Sequence, residues 1–407
     1  MQTNLLDYFA VTEQGQEAEA ILRSCVHCGF CNATCPTYQQ LNDERDGPRG
    51  RIYLIKQMLE TGEASAQTQT HLDRCLTCRS CETTCPSGVQ YGRLADIGRN
   101  IAEQLVPRPL PQRFLRWALR NILLQPLLLV PLVAMGRIMR PLLPGALKAK
   151  VPPKKAPGLW PKDRHQRKML VLGGCVQPVT APRTNAAAAR VLDRLGISLI
   201  EASAADCCGA LSQHLSAEAE AQQAIKRNID AWWPYIEQGA EAIVMTASGC
   251  GVMVKEYAYL MRNDPNYAVK AAQVSALTRD LSALLLDEDL TLLQPVTKAT
   301  GGAANIAVHC PCTLQHGLKQ NGTVEQILLA AGFNLTASKH GHLCCGSAGT
   351  YSILQPQLSQ RLLKDKLQAL TAGAPDLIVS SNIGCQMHLQ TQSPVPVSHW
   401  IELLDQP

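Results

Sequence analysis

The chain has 407 residues, 46% of them hydrophobic, 17 cysteines and a formal net charge of +5, a length that suits two or three domains with real cores. Its cysteine content is well below the roughly 8–10% of a secreted disulfide scaffold, and Met1 to Ala20 carries Asp7, Glu13, Glu17 and Glu19 without the apolar core of a signal peptide, so the expected compartment is reducing, the cytoplasm, where thiolates are kept for metal. Charge is uneven, with fourteen Lys or Arg against one acid, Asp163, between Val106 and Leu170, which points to a local partner surface inside an otherwise acidic protein and not to nucleic-acid binding.

The first element is a duplicated cysteine run, Cys25-x2-Cys28-x2-Cys31-x3-Cys35-Pro36 and Cys75-x2-Cys78-x2-Cys81-x3-Cys85-Pro86. Three thiolates spaced by two residues wrap one cubane, and the fourth, turned away by its proline, reaches the other cluster. The spacing therefore predicts two [4Fe-4S] clusters with crossed ligation: Cys25, Cys28, Cys31 and Cys85 hold cluster 1, and Cys75, Cys78, Cys81 and Cys35 hold cluster 2. Between the runs, Pro48 at a first-turn position, Ile52, Ile55, Met58 and Leu59 at helical spacing, and Gly62 as a stop predict one helix. Residues 1–105 are read as a mainly helical, ferredoxin-like cluster domain. His27 is read as a neighbour that tunes potential, and Arg45, Arg49 and Arg51 either raise cluster potential or form a solvated helix face.

Residues 106–167 read as a basic and apolar linker arm. Ile122 to Met135 is apolar apart from Gln125, is broken by Pro126 and Pro131, and is flanked by Arg113, Arg116, Arg120, Arg137 and Arg140. It is shorter than the roughly 20 apolar residues of a spanning helix, which leaves a packing arm or a surface-lying membrane anchor. Pro152, Pro153, Lys154, Lys155, Pro157 and Pro161 predict an extended spacer.

The remainder contains an internal repeat, expected at 168–295 and 304–407. In the first unit a strand, Met169 to Leu172, leads to Cys175, then Cys207-Cys208-Gly209, then a strand, Ala242 to Met245, ahead of Gly249-Cys250. The second unit follows the same order with Ile306 to Val308, Cys312, Cys344-Cys345-Gly346, Leu377 to Val379 and Gly384-Cys385. Helical stretches at Ala187 to Leu195 and Leu358 to Leu370 lie between the strands, so each unit is expected to be α/β and the whole chain α+β multidomain. Cys175, Cys207, Cys208 and Cys250 in one unit, and Cys312, Cys344, Cys345 and Cys385 in the other, offer four thiolates per metal centre, iron–sulfur or zinc. Cys310 is off the common register and is read as a free or neighbouring thiol. His309, His316, His340 and His342 are read as loop or neighbouring residues, and His388 as an extra ligand or a hydrogen-bond donor to a cluster sulfur.

Gly249-x-Gly251 continues to Val254 where a dinucleotide fingerprint needs glycine, and Gly317-x4-Gly322 continues to Thr323 without the phosphate-binding lysine. No catalytic residue is assigned to this chain. Electrons are expected from a flavin held by another chain.

Several segments, among them Cys25-Val26-His27-Cys28-Gly29-Phe30-Cys31, Asp46-Gly47-Pro48-Arg49-Gly50-Arg51, His71-Leu72-Asp73-Arg74-Cys75-Leu76-Thr77-Cys78, Thr246-Ala247-Ser248-Gly249-Cys250-Gly251, His309-Cys310-Pro311-Cys312 and Leu343-Cys344-Cys345-Gly346-Ser347-Ala348-Gly349, resemble the iron–sulfur subunit of bacterial glycolate oxidase, also called glycolate dehydrogenase, over nearly the whole chain. The resemblance implies a complex with two flavin-type (FAD) subunits that oxidise glycolate, often also D-lactate, to the 2-oxo acid. It also implies onward electron transfer towards the membrane quinone pool, with the complex peripheral at the inner face of the cell membrane. Iron–sulfur subunits of anaerobic glycerol-3-phosphate dehydrogenase or of a lactate-utilisation complex share the architecture. Related disulfide-reductase units end in Cys-x2-Cys, but here Met253 and His388 stand at the second position, against a substrate-cleaving cluster of five cysteines.

Overall fold

The computed structural model describes residues 1–149, 151–293 and 304–405; the expected end of the first repeat at 295 lies outside them. The chain is α+β and divides into two compact units. One comprises Met1–Trp117, His214–Ser216 and His342–Lys366, the other Ala118–Gln213, Ala217–Gly341 and Leu367–Pro407.

In the first unit the N-terminal part is helical. Helix Pro48–Thr61 starts with Pro48 in its first turn and is stopped by Gly62 at φ 72°. Its Ile52, Ile55, Met58 and Leu59 are buried against helix Tyr91–Leu105. The two backbones come close at Gly98, where an added Cβ would lie 2.5 Å from Ile55 Cγ1. Leu22 from helix Glu13–Ser24 and Leu72 from helix Ala66–Asp73 complete this core.

The second unit holds two four-stranded sheets, all pairs parallel. Strands β1 (Arg167–Val171), β2 (Ile197–Glu201), β3 (Ile243–Met245) and β4 (Thr278–Asp280) form one, in the order β2-β1-β3-β4. Strands β5 (Asn305–His309), β6 (Asn334–Thr336), β7 (Leu377–Ser380) and β8 (Val397–His399) repeat it as β6-β5-β7-β8. Leu170 and Val171, and likewise Ile378 and Val379, are buried in succession, as expected of a parallel strand covered on both faces. The expected strands are present with ends shifted by one or two residues. The outer strands β2, β4, β6 and β8 were not expected. Residues from both sheets, including Val171, Val244, Ile306 and Val379, share one core with Leu192, Leu284, Leu328 and Trp400. Across it Ser248 Oγ meets Thr313 Oγ1 at 2.7 Å, and the Ser248 amide donates to Ser381 O at 3.0 Å. Trp232 and Trp400 are fully buried, and truncating either to Ala costs about 3–5 kcal/mol.

The arm differs from its sequence reading. It forms two helices, Leu110–Leu123 and Pro126–Met139, and Pro131 lies inside the second without ending it. The proline forfeits one amide in an otherwise intact helix. Four of the five flanking arginines have protein partners: Arg116 to Asp73 at 2.9 Å, Arg120 to Glu220 at 3.0 Å, Arg137 to Val179 O at 2.8 Å and Arg140 to Val151 O at 3.2 Å. Among the described residues no single helix is long and apolar enough to cross a membrane; Leu110–Leu123 and Pro126–Leu142 together have the length and apolar character, but they are bent by 92° at the break between them.

Candidate iron–sulfur and metal sites

The two cysteine runs share one backbone device. In the first, His27 (φ 58°) and Gly29 (φ 82°) are left-handed; in the second, Thr77 (φ 52°) and Arg79 (φ 59°) occupy the same two places. Left-handed backbone at non-glycine residues is costly and concentrates at ligand clamps, and here it curls three successive thiols around a common point. Short helices follow at once, Phe30–Ala33 and Ser80–Thr84.

Cys25, Cys28, Cys31 and Cys85 line one cavity with about 430 Å³ of empty space, partly open to solvent, which Cys81, His27, Arg49 and Tyr91 also border. Cys35, Cys75, Cys78 and Cys81 line a second hollow, also partly open to solvent, with Thr37, Arg51, Arg79 and Tyr91. All eight are reduced thiols. Two soft four-sulfur sets around adjoining hollows suit cubane clusters and no hard cation.

The sulfurs differ electrostatically. Burial and the neighbouring Cys25 push the Cys31 thiol up to about 11, and burial raises Cys81 well above its ordinary value. Cys75 is also buried, yet Arg51 and Arg99 hold it below the ordinary thiol value, helped by the Thr77 amide at 3.4 Å and the Tyr91 hydroxyl at 3.6 Å.

Arg51 is 1% exposed, not part of a solvated face. Its guanidinium donates to His71 O at 2.7 Å and to Thr37 Oγ1 at 3.1 and 3.2 Å. Thr37 Oγ1 in turn lies 3.2 Å from Cys35 Sγ. Asp46, equally buried, faces Arg51 at 3.6 Å, His71 Nδ1 at 3.0 Å and Arg74 at 2.9 Å. Arg99 donates to Cys75 O at 2.5 Å and Thr77 Oγ1 at 2.8 Å. Arg99 and Tyr91 were not singled out from the sequence, although Tyr91 lies at helical spacing on the buried stripe of Leu94, Ala95, Gly98 and Ile101.

In the first repeat the cysteines sit at the carboxyl ends of β1 and β3, where the strand order reverses. That crevice is the usual binding position of an open parallel sheet. Cys175 follows β1, Cys250 lies in helix Ser248–Lys255 after β3, and the loop bearing Cys207 and Cys208 meets them. Hydrogen-bonding contacts run from Cys175 to Cys207, to Cys208, to Cys250. Contacts from Cys175 and Cys208 draw Cys207 well below its usual value, while those same contacts and burial push its two neighbours up. The loop is stapled by Asn228, which donates to Cys207 O at 2.9 Å and to Tyr257 Oη at 3.0 Å and accepts from the Asp206 amide at 2.9 Å. Tyr257 donates to Cys208 O at 2.8 Å. Behind Cys175, Gln177, Asn185 and Thr246 form a buried hydrogen-bonded triangle of 2.6–2.7 Å sides. Met253 packs its thioether 3.5 Å from the position a Cβ would take on Gly209, an apolar filler in the place of a fifth cysteine.

In the second repeat Cys312 follows β5, and Cys385, in helix Ile383–Gln390 after β7, accepts from Asn382 Nδ2 at 3.3 Å. His309, buried at the end of β5, meets Ser380 Oγ through Nδ1 at 3.0 Å. Cys310 belongs to the shared apolar core. The Cys344–Cys345 loop lies on the segment that belongs to the first compact unit. There Gly346 (φ 86°) donates to Cys344 Sγ at 3.5 Å and accepts from Ser359 Oγ at 2.7 Å. An added Cβ at Gly346 would strike Ser359 O at 2.7 Å, so this turn tolerates only glycine. His388 is buried.

Comparison with known proteins agrees with this layout. The model of the 4Fe-4S dicluster domain family matches residues 21–89, and that of the cysteine-rich domain matches residues 169–255 and 306–390. The glycolate oxidase iron-sulfur subunit of Escherichia coli (strain K12) is 54% identical over 100% of this chain and 99% of its own length. A probable glycolate oxidase iron-sulfur subunit of Bacillus subtilis (strain 168) is 28% identical over 91% of this chain and 89% of its own. Lactate utilization protein A of Bacillus velezensis is 25% identical over 57% of this chain and 96% of its own.

Proposed function

Because the chain belongs to the family of glycolate oxidase iron–sulfur subunits, we propose that it is the electron-transfer subunit of a flavin-linked dehydrogenase that oxidises glycolate, or a related D-2-hydroxy acid, to the 2-oxo acid. The observation that carries this reading is the pair of adjoining four-cysteine hollows in one unit. Cys25, Cys28, Cys31 and Cys85 are the proposed ligands of one [4Fe-4S] cluster, and Cys75, Cys78, Cys81 and Cys35 those of the other. A further iron–sulfur or zinc centre is proposed for each repeat, on Cys175, Cys207, Cys208 and Cys250 and on Cys312, Cys344, Cys345 and Cys385. The proposed domain division is 1–105, 106–167, 168–295 and 304–407.

The clusters supply one-electron steps. The chain's own residues fix the thiolates, wall the hollows in part with the buried Leu76, Val89 and Tyr91, and place guanidiniums beside the sulfurs. Removing hydride from a carbinol carbon needs a flavin in a dedicated site, which we assign with the substrate site to two partner subunits. Peripheral binding to the inner face of the cell membrane, towards a quinone acceptor, is supported by the exposed apolar face of helix Pro126–Met139, with Leu127 86% and Ile138 79% exposed. A lactate-utilisation role has weaker support, since those relatives align with little more than half of the chain.

The test is reconstitution. The chain purified anaerobically contains iron and sulfide but no flavin and reduces no dye with glycolate. Adding the flavin subunits restores glycolate-dependent dye reduction, and Cys25→Ser or Cys75→Ser abolishes it. Glycolate oxidation by the isolated chain, or stoichiometric flavin bound to it, refutes the assignment.

A further inference from the structure

The two cysteine quartets are alike in ligand number and unlike in surroundings. Near Cys25, Cys28, Cys31 and Cys85 the adjacent cations are Arg49, neutralised by Glu44 at 2.6 Å, and the Met1 ammonium, which donates to Cys25 O at 2.9 Å; both are only half-buried, and Cys28 is exposed. Around Cys35, Cys75, Cys78 and Cys81 stand the guanidiniums of Arg51, Arg74, Arg79 and Arg99 against the carboxylates of Asp46, Glu82 and Asp96, with Arg51 1% and Arg99 10% exposed. Arg51 reaches Cys35 through the Thr37 hydroxyl, and the Tyr91 hydroxyl donates to Cys75 Sγ at 3.6 Å. An added electron is an added negative charge. It is held more tightly where guanidiniums are buried beside the sulfurs and where a sulfur receives a hydrogen bond, as Cys75 does from the Thr77 amide and the Tyr91 hydroxyl.

The second quartet also touches the segment that carries the vicinal cysteines of the second repeat. Tyr351 donates its hydroxyl to Arg74 O, the residue before Cys75, at 3.1 Å. Its ring is largely buried, and the charges that act on it come from both sides, from Arg51 and Cys75 and from Cys344. Gln40 Nε2 ties the same segment at Asp365 Oδ2, 2.5 Å away.

We infer that the two quartets form a directed pair: electrons enter at Cys25, Cys28, Cys31 and Cys85, settle at Cys35, Cys75, Cys78 and Cys81, and leave past Tyr351 to the Cys344–Cys345 loop. The inference rests on the electron-transfer reading. The donor is a reduced flavin on a partner, which gives up two electrons one at a time. The acceptor is the centre that includes Cys344 and Cys345 in its iron–sulfur form, since zinc takes up no electron. Each step moves one electron, with no bond made or broken in this chain. Arg51, Arg99 and Tyr91 set the potential, and Tyr351 is a positioning residue for the junction.

The experiment is a potentiometric titration of the anaerobic full chain followed by electron paramagnetic resonance. The second quartet's signal is identified as the one lost in Cys78→Ser. That signal has the higher midpoint; Arg99→Gln and, independently, Tyr91→Phe lower it and leave the other midpoint in place, while Arg99→Lys restores it. If Arg99→Gln does not fold, Tyr91→Phe alone decides. A higher midpoint for the first quartet, or a second-quartet midpoint indifferent to these changes, overturns the direction. For the exit, a paramagnetic centre at Cys344–Cys345 speeds relaxation of the second-quartet signal, so Cys345→Ser makes it saturate at lower microwave power without changing the first. Equal saturation with and without Cys345 overturns the exit. A chain with no reducible cluster at all refutes the electron-transfer reading itself, a different result from either.

Discussion

Replacing Asn228 by alanine tests whether the loop of the first repeat is held by its staple or by metal alone. The side chain is fully buried on helix Glu218–Glu237, between Ile225 and Trp232, and makes three hydrogen bonds of 2.9–3.0 Å, to Cys207 O, Tyr257 Oη and the Asp206 amide. Asn228→Ala orphans the Asp206 N–H and the Cys207 carbonyl and weakens the seat of the Tyr257 hydroxyl, which keeps Cys208 O as acceptor. Each buried polar group left unsatisfied costs about 1–3 kcal/mol. Solvent that enters the void recovers part, so a net loss of about 2–3 kcal/mol is expected for the loop. That corresponds to roughly 30- to 150-fold faster exchange, at about 1.4 kcal/mol per tenfold. Amide hydrogen exchange of a peptide covering Asp206–Gly209 in the metal-loaded chain reads it directly, with the dicluster peptides around Cys25 and Cys75 as internal controls. Bound metal attributable to Cys175, Cys207, Cys208 and Cys250 falls in parallel. Exchange within twofold of wild type, with metal retained, would refute the claim that Asn228 holds the thiols in place.

Crossed ligation makes Cys85→Ser disturb the cluster of Cys25, Cys28 and Cys31, and Cys35→Ser the cluster of Cys75, Cys78 and Cys81; paramagnetic resonance showing each change confined to its own sequence run sinks it. His399 is buried, with Nε2 2.8 Å from Thr246 O, and burial holds it down at about 4. A depressed histidine stays neutral in the native state while the unfolded chain protonates below about 6.5, so stability is lost as pH falls from about 6.5 towards 4. Between pH 7 and 5 the loss from this residue is about 2 kcal/mol, and His399→Gln should flatten the acid side of the melting-temperature profile; identical profiles reject the assignment. Serine at Leu127 and Ile138 together removes two exposed apolar contacts, each worth about 1.5–3 kcal/mol when buried, and should weaken co-flotation with anionic phospholipid vesicles. Undiminished flotation rules out this helix as the contact.

What was legible in the sequence was whatever is written in spacing. The two Cys-x2-Cys-x2-Cys-x3-Cys-Pro runs, the helix from Pro48 to its stop at Gly62 and the central strands β1, β3, β5 and β7 all carry local patterns of three kinds: metal-ligand intervals, cap residues and short apolar runs. Three of the outer strands, β4, β6 and β8, offer only three residues each, and Asn334–Thr336 has little burial; β2, five residues long with Ile197, Ser198 and Leu199 buried, was missed because no cysteine follows it to mark its place in the repeat. Their strand state is set by pairing with β1, β3, β5 and β7. Pro131 misled because a proline in an isolated apolar run reads as a break, whereas here, as the sixth residue of helix Pro126–Met139, it gives up one interior amide hydrogen bond and the helix continues to Met139. Arg51 was the harder case. Beside Arg45 and Arg49 it looks like one more solvated cation, yet those two are at the surface, paired with Asp43 and Glu44, and Arg51 points inward among Thr37, His71 and Asp46.

Burying a guanidinium is expensive, and a single carboxylate at 3.6 Å that is shared with Arg74 and His71 does not fully offset it. The site tolerates that cost where a further negative charge belongs beside it, the charge of a thiolate-bound cluster. Asn228 follows the same logic in the other unit: a polar side chain on the apolar stripe of Ala221, Ala224, Ile225, Ile229 and Trp232 breaks the helix pattern because the loop it faces has carbonyl and amide groups to satisfy. A polar residue at a core-facing helical position is therefore the sequence signal that both sites share, and read that way, Arg51 and Asn228 would have pointed to the cluster and the cysteine loop without coordinates.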